Sequence, residues 1–377
     1  MSGIPQQNAA APAVPARQRI GRLTPLADVA AAFAAVPPVV PRAMSVREAA
    51  GRVLVEAVTG RLRPDAARAL VDGYAVRADD TRDAGGYAPA VLSQPPAWVD
   101  AGAPLPPGTD AVAPPATVAT SDGVAEVLSP LAPGDGVRVA GADCAEGAVL
   151  IEAGRRLRHG DGIALQLAGV STVNVRSPRI AIVLLRDDAM MRAIADTIAD
   201  HVAAAGGPAS ITTATVDAAL AADADALLTI GKTGEGRDDD AILSLVRAGN
   251  VIAHGIAVSP GETAAAGFVG ARPVLMLPGR FDAALAVWLT LGRPLLARLT
   301  GLTENPRTRA VPLTQKIVST IGVCDVVPVA ISAEGAAPLA TRFWPLSALT
   351  RADGVVLVPP DSEGFPPGAT VTVADWR

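Results

Sequence analysis

Between residues 179 and 299, short apolar runs alternate with stretches of helical periodicity. The runs RIAIVLL, DALLTIG and PVLMLPG predict buried strands, and each is followed by a polar turn and a predicted helix. Strands that alternate with helices predict a mostly parallel sheet that is covered by helices on both faces. Ligands of such sheets bind at the carboxyl ends of the strands. The turns IGKTGEGRDDD and LPGRFD lie at those ends, and they are therefore the first candidates for a functional site.

The chain before this region has a less regular pattern. TPLADVAAAFAAVPP predicts a short amphipathic helix that ends at Pro37 and Pro38. Ser45 and Glu48 form a capping-box sequence, in which each side chain can satisfy the other residue's backbone N–H, and this predicts a second helix.

Two further stretches predict β structure. Residues 62–136 are rich in Pro and Gly and contain short apolar runs, which predict a small inserted β module. A helix is expected near 160–168, and residues 306–377 return to short strands. The fold class that follows is a multidomain α/β plus β chain.

Composition excludes several classes of function. The 377 residues are 50% hydrophobic but only 3% aromatic, so a large core has to be built from Ala, Val, Leu and Ile. A net charge of -5 gives no electrostatic reason to bind nucleic acid or an anionic membrane. Apolar runs are interrupted before they reach membrane-spanning length, so no membrane association is expected.

Cysteine and histidine usage gives no metal or disulfide framework. Cys144 and Cys324 are far apart, and the histidines at 159, 201 and 254 are equally scattered. Residues 1–18 lack the features of a signal peptide and predict a disordered Ala/Pro tail. We therefore expect a cytoplasmic protein.

The turn IGKTGEGRDDDA allows more than one interpretation. Its Gly-Lys-Thr suggests a phosphate-binding P-loop, but that loop needs a glycine five residues before Gly231, where Ala226 lies inside the predicted strand. The P-loop is therefore excluded. Of the aspartates at 238–240, Asp238 is expected either to cap the following helix or to face a magnesium ion opposite a nucleotide phosphate. Local sequence leaves both alternatives open.

Six separated motifs occur in the order found in one known family. VDGYAV resembles that family's MDGYA, AGAPLPPGTDAV resembles TGAPLPEGADAV, and GDGVRVAGADCAEGAVLIEAGRRL is similar to its G-x-N-V-R-x-x-G-E-D run. TIGKTGEGRDDD, VSPGET and LPGRFDA stand where the family has SGGxSxGxxD, KPGKP and LPGNPVS. The match is collinear from about residue 19 to the end. The chain thus resembles the molybdopterin molybdenumtransferase family, of the MoeA and gephyrin type.

The resemblance implies an architecture and a reaction. A central molybdopterin-binding α/β domain with a mostly parallel sheet is joined to an elongated helix-containing domain, an inserted β-rich domain and a C-terminal β domain. The implied bounds are 1–18 for the tail, 19–61 with 137–178 for the elongated domain, 62–136 for the insertion, 179–305 for the α/β domain and 306–377 for the last. The family forms homodimers whose cleft uses both subunits. Its reaction takes adenylated molybdopterin and molybdate and releases AMP with the help of Mg²⁺.

The resemblance also assigns site residues. Asp72, Asp188 and Asp239 match catalytic carboxylates, and Asp188, Asp238 and Asp239 are the candidate magnesium ligands. Residues expected to bind molybdopterin or its adenylate are small or fix the backbone, which allows a loop to approach the ligand closely: Gly231, Thr233, Gly236, Pro260, Gly261, Pro278 and Gly279.

The chain departs from the family where the molybdate anion would bind. The lysines of KPGKP are Ser259 and Glu262, the threonine of TGAPLP is Ala101, and an arginine and a serine of the last domain align with Pro328 and Phe343. Charge-assisted hydrogen bonds contribute roughly 1.5–3 kcal/mol each, so losing two such donors weakens molybdate binding on the order of a thousandfold.

Two functions follow from this comparison. The first is a molybdopterin molybdenumtransferase whose anion site has been rebuilt, with Arg280 or Arg342 as candidate replacements. The alternative is an impaired paralogue that binds molybdopterin or molybdenum cofactor as a carrier, insertion partner or regulator. Its protein partner is then a molybdoenzyme or another cofactor-biosynthesis protein.

Overall fold

The computed structural model describes residues 17–121, 123–303 and 307–376. Most of the predicted N-terminal tail lies outside these ranges. Gln18, which the sequence places at the end of that tail, is buried with 4% of its surface exposed.

The first part of the chain contains one helix near each end and many short strands. The helices are α1 (Leu26–Ala34) and α2 (Asp161–Leu167), which agree with the two predicted at these places. The strands are β1 (Thr24–Pro25), β2 (Arg42–Ser45), β3 (Val53–Leu54), β4 (Val58–Thr59), β5 (Arg68–Ala69), β6 (Gly73–Val76), β7 (Ala90–Val91), β8 (Ala97–Val99), β9 (Ala111–Ala113), β10 (Val118–Ser121), β11 (Val124–Val127), β12 (Val137–Arg138), β13 (Val149–Ile151) and β14 (Thr172–Arg176).

Apart from β1, these strands form two groups that do not pair with each other and are interleaved in the chain. In the first group β2, β14 and β3 form one sheet, and β4 pairs with β13. In the second group β8, β6 and β9 form one sheet, β10, β11 and β7 form another, and β5 pairs with β12. In chain order, the strands of the second group lie between β4 and β13 of the first group.

The prediction of a helix after Ser45 is wrong. Ser45 ends β2, and hydrogen-bonded turns follow it. The Ser45 hydroxyl does donate to Glu48 Oε2 at 2.7 Å, but the N–H of Val46 bonds to Ser171 O and the N–H of Gly51 to Leu157 O. These long-range backbone bonds replace the helical ones.

The central region has the predicted α/β alternation. Its elements are β15 (Ile180–Leu184), α3 (Ala189–Ala204), β16 (Ala209–Thr213), α4 (Val216–Leu220), β17 (Ala226–Ile230), α5 (Ala241–Ala248), β18 (Asn250–His254), β19 (Ile256–Ser259), β20 (Ala265–Val269), β21 (Arg272–Leu277), α6 (Phe281–Val287), a π-helical turn (Trp288–Gly292) and α7 (Arg293–Thr300).

The central sheet has the order β16-β15-β17-β21-β20-β18. The first four strands are parallel to one another. Strand β20 pairs antiparallel with β21, and β18 pairs antiparallel with β20. The predicted mostly parallel sheet therefore holds for β16, β15, β17 and β21, and the antiparallel edge is an addition. Separate buried apolar clusters lie on its two faces.

The N-terminal segment packs on the central domain. Val29 and Phe33 of α1 lie in the same buried cluster as Ile180 and Leu299. Strand β1 pairs in parallel with β19. Helix α1, which the sequence assigns to the elongated domain, therefore contributes to the core beside the central sheet.

The last part of the chain is a β unit with one short helix. Its elements are β22 (Thr308–Pro312), β23 (Ile317–Val318), β24 (Cys324–Ser332), β25 (Gly335–Pro338), α8 (Leu346–Arg351), β26 (Gly354–Val358), β27 (Gly364–Phe365) and β28 (Thr370–Asp375). Its main sheet has the order β1-β19-β24-β26-β28-β22, so β19 leaves the central domain and joins the C-terminal one. In the ranges described above, no helix is long and apolar enough to cross a membrane.

Candidate functional site

The two candidate turns lie together at one edge of the central sheet. Strands β15, β17 and β21 are parallel and in register, with Leu184 beside Ile230 and Ile230 beside Leu277. The N–H of Gly231 donates to Leu277 O at 2.9 Å, so the turn after β17 starts directly beside the turn after β21. The carboxyl ends of the strands thus converge as expected from their parallel order.

Gly231 and Gly279 face the same side chain. A Cβ atom at Gly231 would lie 2.8 Å from Met191 Cε, and one at Gly279 would lie 2.7 Å from it. Gly231 also has a φ of +98°, which side chains disfavour. The sequence predicts that these glycines allow the loops to approach a ligand closely. In the structure they give room to the side chain of Met191, which is buried in the first turn of α3. Pro278, between β21 and Gly279, is also buried.

The remainder of the turn 231–240, which we name the β17 loop, is held by internal bonds. The N–H of Gly236 donates to Asp239 Oδ2 at 3.0 Å, and Asp239 N–H donates to Gly236 O at 3.2 Å. Thr233 is 2% exposed, and its carbonyl lies 3.0 Å from His254 Nε2. Lys232, with a φ of +57°, pairs with Asp240 at 3.3 Å. These contacts within the protein hold the loop in its shape.

The N-terminal segment provides further contacts that sequence reasoning missed. The carboxamide of Gln18 bonds to Lys232 O, Gly234 O and Ile242 N, and the N–H of Ile20 donates to Glu235 Oε1 at 2.7 Å. No local sequence signal indicates such contacts, because the partners are more than 200 positions apart.

The predicted magnesium ligands occupy separate local positions. Asp188 caps α3, with Oδ1 accepting from the N–H groups of Met190 at 2.9 Å and Met191 at 3.2 Å. Asp238 is exposed and does not cap α5, which begins at Ala241 with Asp240 in the N-cap position. The helix-cap interpretation of Asp238 is therefore wrong.

A magnesium site made of Asp188, Asp238 and Asp239 together does not fit this arrangement. Within the described ranges, no three or more His, Cys, Asp or Glu side chains form a group that could hold a metal ion. Mg²⁺ is more often bound by one or two carboxylates together with substrate phosphates and water. Asp188 and Asp239 each accept a hydrogen bond from a backbone N–H. As carboxylates they are suitable for a Mg²⁺ site in which the protein supplies only one or two ligands.

Asp72 lies directly before strand β6. Its Oδ1 accepts from the N–H of Ala101 at 2.7 Å, which fixes the turn before β6. Among the described residues of one chain, no hydrogen bond or ion pair joins Asp72 to the β17 loop or to the turn after β21. The third predicted catalytic carboxylate is therefore not brought to the sheet edge by such a contact.

The loop at 259–262 contains no cation. Ser259 is 4% exposed, precedes a cis Pro260, and is followed by Gly261 with a φ of +135°. Glu262 Oε2 accepts from Gly261 N–H at 3.1 Å. A Cβ at Gly261 would lie 2.6 Å from Val287 Cγ2, so this glycine is required by packing on α6.

The neighbouring strand β24 places a buried carboxylate beside this loop. Ser259 is in register with Asp325, which is 2% exposed and accepts from the Ser319 hydroxyl at 2.6 Å. Burial, reinforced by Asp325, raises the pKa of Cys324 to about 11. Cys324 is thus a neutral thiol at physiological pH and is not an activated nucleophile.

Arg280 supplies a cation beside the sheet edge, but its charge is paired. Arg280 Nε donates to Asp282 Oδ1 at 2.6 Å, and its guanidinium carbon lies 5.7 Å from the centre of the Phe343 ring. Asp282 is fully buried and also accepts from the N–H groups of Ala283 and Trp344. The turn after β21 is thereby joined to the C-terminal domain.

Arg342 lies next to Phe343 in the chain and has a φ of +59°. Its guanidinium donates to Thr320 Oγ1. The two arginines considered as replacements for the missing lysines are therefore both near Phe343, and both have a protein partner.

Comparison with known proteins agrees with the motif order. Residues 24–169 match the model of the MoeA N-terminal region, domains I and II. A Methanocaldococcus jannaschii protein named for molybdopterin biosynthesis is 31% identical over 149 residues. That alignment covers 40% of this chain and 36% of the relative, so it spans about a third of the relative's length.

Solved structures extend the likeness to most of the chain. A MoeA protein of molybdopterin biosynthesis from Pyrococcus horikoshii has a TM-score of 0.79 at 24% identity, over 94% of this chain and 100% of that one. A molybdenum cofactor biosynthesis protein from Pyrococcus furiosus has a TM-score of 0.61 at 17% identity, with the same coverage. At these identities the likeness establishes the fold. Residues 24–169 therefore match the MoeA N-terminal region, and the chain has the fold of MoeA proteins over 94% of its length.

Proposed function

We propose that this chain acts in molybdenum cofactor biosynthesis and binds molybdopterin, or its adenylate, at the carboxyl edge of the central sheet. The observation that carries the proposal is the convergence of the β17 loop and the turn after β21, joined by the Gly231 N–H to Leu277 O bond. Such an edge is where ligands of open α/β sheets bind. The names of the matched relatives supply the ligand class.

The chain's own groups have different roles in this proposal. Backbone groups of the preshaped β17 loop bind the pterin or phosphate part of the ligand, because an ordered loop loses little entropy on binding. Asp188 and Asp239 together with a ligand phosphate would hold Mg²⁺, which would supply charge neutralisation at that phosphate. Arg280 lies next to Gly279, in the turn after β21, and places a half-exposed guanidinium beside this edge.

Binding is better supported than molybdenum insertion. At the loop 259–262, the positions of two family lysines hold the buried Ser259 and the carboxylate of Glu262, and Asp325 lies beside them. A molybdate dianion at this place would meet anionic groups instead of donors. The chain therefore fits a molybdopterin carrier, insertion partner or regulator more closely than an efficient molybdenumtransferase.

The transferase remains a second candidate because of Arg280. Its guanidinium Nε is committed to Asp282, but 49% of the side chain is exposed. An arginine has five N–H donors, so one bonded nitrogen leaves donors for an anion. In this form of the proposal, a second copy of the chain contributes Asp72 to the cleft, as the family resemblance implies.

Titration of the purified chain with adenylated molybdopterin tests the proposal. The titration is run with and without Mg²⁺ and molybdate, and AMP release is followed in parallel. Saturable binding with little molybdate-dependent AMP release supports the binding function. Normal turnover at micromolar molybdate selects the transferase, and the absence of saturable binding contradicts both. Sedimentation of the same samples measures whether the chain is a dimer.

A further inference from the structure

The segment 17–20 crosses the β17 loop and is attached to it by polar contacts. Gln18 is 4% exposed, although the neighbouring Arg17 and Arg19 are exposed. A buried amide side chain is costly unless its donors and acceptor are bonded. The three bonds of the Gln18 carboxamide satisfy that requirement.

The Gln18 carboxamide joins two elements that meet at the candidate ligand site. Its Nε2 donates to Lys232 O at 2.9 Å and to Gly234 O at 2.6 Å, which are both in the β17 loop. Its Oε1 accepts from Ile242 N–H at 3.0 Å, in the first turn of α5. We propose that Gln18 is a positioning residue of the molybdopterin site, which holds the β17 loop against helix α5 in the shape that receives the ligand. This inference rests on the proposed function for the identity of the ligand.

The hydrogen bond from Ile242 N–H to Gln18 lies at the start of helix α5. The first N–H groups of an α-helix have no partner within the helix. Asp240, in the N-cap position of α5, makes no side-chain capping bond, because its carboxylate faces Lys232. Gln18 therefore takes the place of a helix cap for Ile242, from a position 224 residues away in the chain.

The loop needs this support because its backbone is strained. Gly231 and Lys232 have successive positive φ values of +98° and +57°. For a residue with a side chain, such as Lys232, this conformation is disfavoured unless its surroundings fix it. Both Gln18 donor bonds end on carbonyls at or just after Lys232, so they act directly on the strained part of the loop.

Two more contacts hold the segment in place. The N–H of Ile20 donates to Glu235 Oε1 at 2.7 Å. A Cβ at Gly255, whose φ is +89°, would lie 2.5 Å from Ile20 Cγ2, so this glycine gives the segment room to pass. His254 precedes Gly255 in this turn, and its ring contacts the carbonyl of Thr233 in the β17 loop. The segment 17–20 and the turn 254–255 therefore hold the β17 loop together.

Two substitutions at Gln18 separate the two kinds of bond. Gln18→Glu keeps an acceptor for Ile242 N–H but loses both donors to the loop. Gln18→Met has a similar length and loses all three bonds. Arg19→Ala is the matched control, because Arg19 is exposed and next to Gln18. Circular dichroism and the urea midpoint of each variant establish that it is folded.

Hydrogen exchange of the ligand-free chain tests the contacts independently of function. In Gln18→Met we expect the Ile242 amide to exchange at least about tenfold faster than in wild type, because its acceptor is gone. Gln18→Glu retains the Ile242 protection, and Arg19→Ala matches wild type. Unchanged Ile242 exchange in folded Gln18→Met would overturn the inference.

Titration with adenylated molybdopterin tests the effect on the ligand. If the competent loop shape falls to about a tenth of the population, the apparent Kd rises about tenfold, and this is expected for Gln18→Met and for Gln18→Glu. Arg19→Ala binds like wild type. Equal affinity of wild type and Gln18→Met overturns the positioning role. If wild type itself does not bind, the proposed function fails and the ligand role with it, while the exchange result still decides whether Gln18 holds the loop.

Discussion

Trp288 donates its indole N–H to Nδ1 of His201 at 2.8 Å, and the two rings are nearly parallel, with centres 6.2 Å apart. The bond joins α3 to the π-helical turn between α6 and α7. Because Nδ1 accepts this hydrogen bond, it carries no proton, and the His201 ring is neutral. Burial, and secondarily the charge of Arg293, lower the pKa of His201, whereas Asp200 opposes this effect.

The first prediction is a loss of stability in mild acid. A histidine whose pKa is lowered in the folded state stabilises the fold above its unfolded pKa, about 6.5, and this contribution is lost as the pH falls through the lower folded value. We expect the urea midpoint, followed by tryptophan fluorescence, to fall between pH 8 and pH 5. His201→Asn keeps an acceptor for the indole N–H but does not titrate, so its urea midpoint should fall less than that of wild type over the same pH interval.

His159→Asn is the control for this prediction, because His159 is exposed. It is expected to keep the wild-type pH dependence. An identical pH dependence in wild type and His201→Asn would contradict the assignment of the effect to His201.

The second prediction concerns the buried carboxylate of Asp282. Its oxygens accept from Arg280 Nε, Ala283 N and Trp344 N. Asp282→Ala leaves these donors unsatisfied and is expected to lower the free energy of unfolding by about 3–5 kcal/mol. Arg280→Met leaves Asp282 with its two backbone N–H donors and removes a half-exposed partner, so it is expected to cost less than Asp282→Ala.

Urea unfolding of the two variants measures this difference. Asp361→Ala, at an exposed turn, is the control for removing a carboxylate and is expected to change the unfolding free energy by less than about 0.5 kcal/mol. A cost for Asp282→Ala no larger than that of Asp361→Ala would show that the network does not stabilise the join to the C-terminal domain.

The third prediction separates backbone strain from crowding at the sheet edge. Gly231→Ala and Gly279→Ala each place a methyl group less than 3 Å from the flexible end of Met191, so the steric cost is similar. Of these two glycines, only Gly231 has a positive φ. Gly231→Ala is therefore expected to cost about 1–3 kcal/mol more than Gly279→Ala in thermal or urea unfolding. Equal costs would mean that the Met191 contact, and not the backbone, requires glycine at 231.

Much of the central fold follows from local pattern. The strands at 180–184, 226–230 and 272–277 were predictable, because each is a continuous apolar run bounded by polar or glycine residues, as strands buried on both faces are. Their parallel order then places the β17 loop beside the turn after β21. The proximity of these two turns was therefore predictable from periodicity.

The contacts that shape the site were not predictable in this way. Gln18 is an ordinary polar residue in a Pro- and Ala-rich stretch, and its partners lie at 232, 234 and 242. Ser45 and Glu48 make the contact of a capping box without a helix, because long-range backbone bonds are made instead. Strand β19 joins the C-terminal sheet through β24, a pairing that depends on tertiary packing.

The last prediction concerns charge at the loop 259–262. Glu262 is partly exposed, whereas Ser259 is buried beside Asp325, so only position 262 accepts a lysine without burying a new charge. Glu262→Lys replaces an anion with a cation where the family has lysine. If molybdate binds here, its affinity in the presence of adenylated molybdopterin is expected to rise about tenfold or more, and molybdate-dependent AMP release at low molybdate to rise with it.

Glu262→Gln provides the intermediate case. It removes the negative charge and keeps an acceptor for Gly261 N–H, so its molybdate affinity should lie between those of wild type and Glu262→Lys. Glu334→Lys, at an exposed turn, has the same change in net charge and controls for long-range electrostatics. If Glu334→Lys raises the affinity as much as Glu262→Lys does, or if neither changes it, molybdate does not bind at the loop 259–262.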